Sequence, residues 1–183
     1  TSVVMPDSLK EIGEYAFSGC INLSKVKFGK ELKTIGDYAF DGCVNLKEIE
    51  SALCTLESVG EYAFGNYTDN VQENGIITVG GFVVGIAGYQ TSIKISAEVV
   101  AIASHAFEEK QFISEIDFSR AKNLKNIGRY SFYGCSELEK VVISDNVDSI
   151  GAYAFGDCVN LTDVSHSAVN VDKNAFAGTP YSD

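Results

Sequence analysis

The 183-residue chain has no tryptophan, one methionine, two prolines and two histidines. It also lacks an excess of positive charge: 14 Lys and Arg stand against 25 Asp and Glu, a formal charge of −11. DNA, RNA and anionic membranes all call for a basic surface, so nucleic acid is excluded as the main partner. No apolar run approaches the roughly 20 residues of a membrane-spanning helix, and no secretory leader is visible. There is no Cys-x-x-Cys pair for zinc or dithiol chemistry. Gly-x-Ser-x-Gly, His-Glu-x-x-His and phosphate-loop strings are missing too. His166 precedes Ser167, but a Ser beside a His needs an orienting third group before it is a nucleophile.

What is present is one text written several times. Ile35-Gly36-Asp37-Tyr38-Ala39-Phe40-Asp41-Gly42-Cys43-Val44-Asn45-Leu46 returns as Ile12 to Leu23, Ile127 to Leu138 and Ile150 to Leu161. Weaker copies start at Val59, Ile102 and Val171. Phe17 to Phe40 is 23 residues, Phe40 to Phe64 is 24, Phe107 to Phe132 is 25 and Phe132 to Phe155 is 23. A fixed period of this length predicts a solenoid. No coil can bury its apolar side alone, so the coils must stack. Val3 to Leu9 reads as the end of an earlier repeat, which suggests a piece of a longer array with its N-terminus truncated.

Within each coil the pattern is equally regular. The segment Leu23-x-x-Val26-x-Phe28 recurs as Leu46-x-x-Ile49, Ile113-x-x-Ile116-x-Phe118, Leu138-x-x-Val141-x-Ile143 and Leu161-x-x-Val164. Its period of two predicts a strand with Val26 and Phe28 inward, and stacking turns such strands into a parallel sheet. A second short strand is expected before each Ile-Gly, as at Leu32 to Ile35. Tyr-Ala-Phe reads as one helical or 3₁₀ turn, too short to stand without its Phe. Gly-Cys closes it, and Asp157 stands where Gly19, Gly42 and Gly134 stand, as a tight turn tolerates. The expected repeat core is Ile12, Phe17, Cys20, Leu23, Ile35, Phe40, Cys43, Leu46, Ile127, Phe132, Cys135, Leu138, Ile150, Phe155, Cys158 and Leu161.

Four of the five cysteines fill one repeat slot, and only Cys54 lies outside it. One thiol per coil predicts small buried side chains stacked on one another. Coils about 4.8 Å apart do not exclude a Cys20–Cys43 bridge by distance alone. The repeat breaks once: Phe64 to Phe107 is 43 residues, about two periods, with the middle Ala-Phe missing. Residues 66–92 read as an irregular insertion within one domain spanning 1–183. Its two β-rich runs around Gly80-Gly81 predict a hairpin, and Ile93 to Ile95 re-enters the array as a strand. Val171 to Pro180 is a last Ala-Phe turn, and Pro180 suits termination because it removes a ladder donor.

The pattern Ile-Gly-x-x-Ala-Phe-x-x-Cys-x-x-Leu-x-x-Val/Ile resembles the BspA-like subclass of leucine-rich repeats, over nearly the whole chain and in seven copies. The break between Asn74 and Ile95 and the Gly178-Thr179-Pro180 ending resemble features of that family as well. The resemblance implies a leucine-rich-repeat solenoid of the α/β horseshoe type, mainly β. It also implies a surface or secreted protein of the kind found in host-associated bacteria and some protists. Adhesion to host, matrix or other cell-surface proteins would be its task. It implies no cofactor, no metal and no catalytic residue, since the motif residues hold the coil together.

Two surfaces are candidates for binding. The outward sheet face carries Lys25, Lys27, Glu48, Glu50, Glu115, Asp117 and Lys140, with Asp163 beyond. Lys25 opposite Glu48 and Lys27 opposite Glu50 pair unlike charges across strands, which sets register, and the face either stays solvated or receives a protein. The row Tyr15, Tyr38, Tyr62, Tyr130 and Tyr153, with His105 in the same slot, either stacks on sugars or packs ring on ring. His105 reads as a repeat variant. Asp69, Asn70, Glu73 and Asn74 miss the spacing of a calcium loop and read as solvated. Asn22, Asn66 and Asn160 open N-glycosylation acceptor strings, relevant only in a eukaryotic secretory route. The function expected is a non-enzymatic extracellular protein-binding module. The alternatives are a carbohydrate-binding module using the aromatic row, or a stalk.

Overall fold

In the computed structural model the repeats wind into stacked coils, and residues 1–51, 56–65, 67–69, 71–168 and 170–181 are described. Each coil carries two short strands. The first three coils hold β1 (Ser2–Val4) and β2 (Glu11–Ile12), β3 (Lys25–Lys27) and β4 (Thr34–Ile35), and β5 (Glu48–Glu50) and β6 (Ser58–Val59). A hairpin follows, β7 (Ile76–Val79) and β8 (Phe82–Ile86). The array then resumes with β9 (Ser92–Lys94), β10 (Ala101–Ile102), β11 (Glu115–Asp117), β12 (Asn126–Ile127), β13 (Lys140–Val142), β14 (Ser149–Ile150), β15 (Asp163–Ser165) and β16 (Asn170–Val171). Like strands pair in parallel and in register, Val26 beside Val3 and Ile49, Ile35 beside Ile12 and Val59.

The hairpin interrupts both faces. One face splits into β1-β3-β5 and β9-β11-β13-β15; the other splits into β2-β4-β6 and a sheet ordered β16-β14-β12-β10-β8-β7. Strand β8 pairs in parallel with β10, Val83 beside Ile102, so it takes the position of the missing coil on that face. Gly80 and Gly81 turn the hairpin at φ 56° and 86°, a conformation open to glycine at little cost.

The hairpin also divides the interior. Met5, Phe28, Ile35, Phe40 and Phe64 form one buried cluster with Ile77, Val79 and Phe82. Phe107, Phe118, Phe132 and Phe155 form another with Ile76 and Val83. Alternate hairpin residues thus face opposite cores, as strand pleating requires. A single shared spine, which the repeat leads one to expect, is replaced by two, because the coil lacking Ala-Phe has no ring to join them. Phenylalanines stack within each half at 5.1–5.3 Å for Phe17–Phe40–Phe64 and 4.8–5.4 Å for Phe107–Phe132–Phe155–Phe176.

The expected helical turn at Tyr-Ala-Phe is a string of tight turns instead. Ala16, Ser18 and Cys20 donate to carbonyls three residues back, whereas Tyr15, Phe17 and Gly19 donate to Asp37, Ala39 and Asp41 of the next coil. Every second amide therefore leaves the segment, which a helix does not allow. The alternation places Tyr15, Tyr38, Tyr62, His105, Tyr130 and Tyr153 in the left-handed region, at φ 49° to 61°. Such a conformation costs a side-chain-bearing residue about 1–2 kcal/mol, and the inter-coil bonds and ring stacks offset it. Glycine serves the second left-handed position, φ 69° at Gly19, Gly42 and Gly134, with Asp157 at 52° and Glu109 at 56° in the same slot.

Candidate functional site

The outward sheet face is the first region the sequence singles out. Lys25 lies beside Glu48, and Lys27 beside Glu50. The Lys25 ammonium reaches Glu48 Oε1 at 2.7 Å and Glu50 Oε1 at 2.5 Å, and Lys27 reaches Glu50 Oε2 at 3.3 Å. The hydrogen bonds that Lys25 donates to Glu48, then to Glu50, raise the Lys25 pKa above its ordinary value; those that Glu50 accepts from Lys25, then Lys27, lower that of Glu50. Glu115, Asp117 and Lys140 belong to the other sheet of that face. Glu115 is in register with Lys140, but Lys140 bonds Asp163 at 2.5 Å, while Glu115 accepts from the Ser92 hydroxyl and Asp117 from the Ser119 amide. The predicted charges therefore form two groups, not one ladder. Val4 and Val142 stand exposed on the same faces.

In the aromatic row, Tyr15, Tyr38, Tyr62, His105, Tyr130 and Tyr153 stack in sequence with centroids 5.0, 5.4, 4.3, 5.1 and 5.1 Å apart. Each inner ring has both faces covered by its neighbours. A sugar stacks on a free ring face, and here the outer face of Tyr15 is the one left at the start of the row.

The repeat-core residues divide by depth. Ile35, Ile127, Phe132, Cys135, Leu138, Ile150, Phe155, Cys158 and Leu161 are buried, with Ile12, Leu23, Phe40, Cys43 and Leu46 nearly so. Phe17 is half-buried and Cys20 exposed. Cys20, Cys43, Cys135 and Cys158 are free thiols. Cys43, Cys135 and Cys158 each donate S–H to a Phe carbonyl of the previous coil, at 3.1–3.3 Å. Burial pushes the Cys158 thiol up to about 12 and raises that of Cys135 as well. Cys54, Asn66 and Asn70 lie outside the described residues.

The third region escaped the sequence reading. Where the Ala-Phe copy is missing, a cavity of about 300 Å³ opens between the coils of Tyr62 and His105, backed by Val84, Gly85 and Ile86 of the hairpin. Beside it, Glu108 Oε2 accepts from the Tyr62 hydroxyl and lies 2.9 Å from His105 Nδ1. His105 Nε2 is 3.5 Å from Glu61, whose other oxygen is 3.5 Å from Arg129. Burial first, then the bond to Glu108, raises the Tyr62 pKa strongly. His105 is thus clamped between two rings and two carboxylates, which fixes it as the rivet joining the two halves of the row.

A signal for this region was present in the sequence. Ala103 occupies the slot of Gly36, Gly60 and Gly128; Tyr67 and Lys110 occupy the cysteine slot; His105 occupies a tyrosine slot. All four line the cavity. The glycines are dictated by crowding: a Cβ on Gly36, Gly60 or Gly128 would lie 2.5–2.6 Å from a backbone nitrogen of the preceding coil. Ala103 follows the hairpin strand β8 instead of a regular coil, its amide donating to the Val83 carbonyl.

The stacked parallel coils, with phenylalanines stacked inside and inward aliphatic strands, define a leucine-rich-repeat solenoid. The profile of the BspA type leucine-rich repeat region matches residues 1–79 and 87–182 in six copies, and the chain belongs to that family. Among solved structures, it is similar to a leucine-rich repeat protein of Bacteroides ovatus at 20% identity and TM-score 0.48, covering 98% of this chain and 50% of that one. It is also similar to the leucine-rich repeat protein of T. pallidum, at 23% identity and TM-score 0.44, covering 93% of this chain and 72% of that one. A leucine rich cell surface protein of Faecalibacterium prausnitzii matches at 16% identity and TM-score 0.41, covering 98% and 71%. The chain thus spans about half the length of the Bacteroides protein. Among curated proteins no sequence is significantly similar. No helix among the described residues is long and apolar enough to cross a membrane.

Proposed function

We propose that this chain is a non-enzymatic module that binds a protein partner through its outward sheet face, displayed outside the cell as a surface or secreted adhesin. The observation that carries the reading is the Lys25–Glu48–Glu50–Lys27 group. Four long side chains are tied to one another on a broad face next to the exposed Val4. Exposed ion pairs add little to stability, so their use lies in setting register and in matching a complementary surface. The extracellular setting is supported by family membership. The insertion at 66–92 belongs to the same single domain, tied to its neighbours by the β8–β10 pairing and by the Gly80 amide on Ser51 Oγ at 3.1 Å. The aromatic row, with its ring faces mutually covered, favours protein over carbohydrate as the partner.

The test is a pull-down of host matrix and cell-surface proteins with the chain and with the Glu48→Lys/Glu50→Lys variant. Loss of a captured partner with the variant supports the assignment. Capture that the variant leaves unchanged removes the sheet face from it.

A further inference from the structure

The inter-coil hydrogen bonds of the Tyr and Phe amides follow one rule, which breaks at the interruption. Tyr38 and Phe40 donate their amides to the Glu61 and Ala63 carbonyls; Tyr130 and Phe132 donate to Ala152 and Ala154. By the same rule Tyr62 and Phe64 should donate to Ser104 and Ala106. Among the described residues those two amides and those two carbonyls make no hydrogen bond. All four residues line the cavity at the interruption. Backbone groups away from bulk water are seldom left without partners, and the half-buried to buried Tyr62, Phe64, Ser104 and Ala106 leave four of them facing the cavity.

The shape of the gap agrees. Tyr62 and His105 touch at 4.3 Å, the shortest step of the aromatic row, and close one end. At the other end Phe64 stacks on Phe40 at 5.3 Å and Phe107 on Phe132 at 4.8 Å, and among the described residues the two do not stack on each other. The gap is a wedge that opens toward Phe64 and Ala106. Donors stand on one wall and acceptors on the other, so an inserted main chain would accept from one side and donate to the other. One side is apolar, with Phe64, Ile77 and Val84; the rim carries Thr68 and Lys110.

We propose that this wedge is a peptide-docking slot, in which a short extended segment of a partner protein takes the place of the absent coil. At its open end one carbonyl of the segment accepts from the Phe64 amide, and one amide of the segment donates to the Ala106 carbonyl. A strand residue at ordinary strand and sheet spacings fills about 160 Å³, so a cavity of about 300 Å³ holds about two residues. Main-chain bonding gives the affinity, and one inward apolar side chain against Phe64 and Val84 gives the preference, as in other strand-addition sites. The slot shares no residue with the Lys25–Glu50 group, and the two readings stand separately.

The experiment is an amide NMR titration of the isotopically labelled chain with acetyl-Val-Thr-Val-Thr-amide, beside a copy N-methylated at its central amides and beside N-acetylglucosamine. The expected result is a saturable shift of the Tyr62 and Phe64 amide signals with the plain peptide, weakened about tenfold by N-methylation. Gly85→Val, whose Cβ would meet only Ile77 and the Ala106 carbonyl at 3.7–3.9 Å, fills the wedge from behind and should abolish the shift. Thr68→Trp, at an exposed rim position, should do the same from outside, so one misfolded variant does not decide the matter. Glu48→Lys/Glu50→Lys should leave the shift intact. The proposal is overturned if the peptide moves neither amide at millimolar concentration, if the methylated copy binds equally, if neither cavity variant weakens binding, or if the sugar alone occupies the site.

Discussion

Replacing phenylalanines one at a time measures how much each coil relies on its neighbours. Phe132 is fully buried, stacked at 4.8 Å on Phe107 and 5.1 Å on Phe155, and edge-on to Phe118 at 6.2 Å. Phe132→Ala removes the ring and leaves a cavity that rigid coils on both sides cannot close, so it should cost about 4–5 kcal/mol. Phe64 is nearly buried but has one stacked partner, Phe40, a tilted Tyr67 and the wedge beside it. Phe64→Ala should cost about 3 kcal/mol, at the low end of the same range. Phe17 is half-buried with one partner, so Phe17→Ala should cost about 1–2 kcal/mol, part of the value of a fully buried ring. In a domain of this size each kcal/mol lowers Tm by about 2–4 °C. Urea unfolding of the three variants reads the order directly, with the slope watched because repeat arrays can lose cooperativity. Equal losses for Phe17→Ala and Phe132→Ala would refute the idea that stacking on both sides sets the cost.

Gly128→Ala should destabilise by about 1–3 kcal/mol through overpacking, since its Cβ would lie 2.6 Å from the Ser104 nitrogen, whereas Ala103→Gly should cost under about 1 kcal/mol; thermal melts of the pair compare the two. Iodoacetamide at mild alkaline pH should label Cys20 and spare Cys43, Cys135 and Cys158 in the folded chain, which peptide mapping checks. The buried Cys158 thiol and Tyr67 hydroxyl are both pushed up to about 12, so their stabilising effect is full below the ordinary thiol range and is lost as pH rises toward 12. Tm should therefore hold to about pH 9 and fall beyond it. Lys25→Gln should leave Tm unchanged, because its partners are exposed.

Much of this architecture is written in the residues themselves. The Phe interval announces the stack, the Val26-x-Phe28 alternation announces the inward strand, and Gly80-Gly81 announces the hairpin. The turn at Tyr-Ala-Phe is misread as helical because its left-handed tyrosines violate local propensity, and only the neighbouring coil's carbonyls make that conformation worthwhile. The charges of the sheet face are legible one strand at a time, yet Lys140 chooses Asp163 over Glu115, a choice between rotamers that register alone does not settle. The wedge is legible only in hindsight, as departures at Tyr67, Ala103, His105 and Lys110 from a text that holds elsewhere.

The hairpin wall between the two interiors has a mechanical consequence. Among the described residues, each half of the stack has its own set of interior side chains, and the two are joined by the thin hairpin partition, the histidine rivet and a few edge bonds. Under load along the array the seam should part before either half unravels, so the molecule would extend in two discrete steps, as a hinged ruler opens before its segments break.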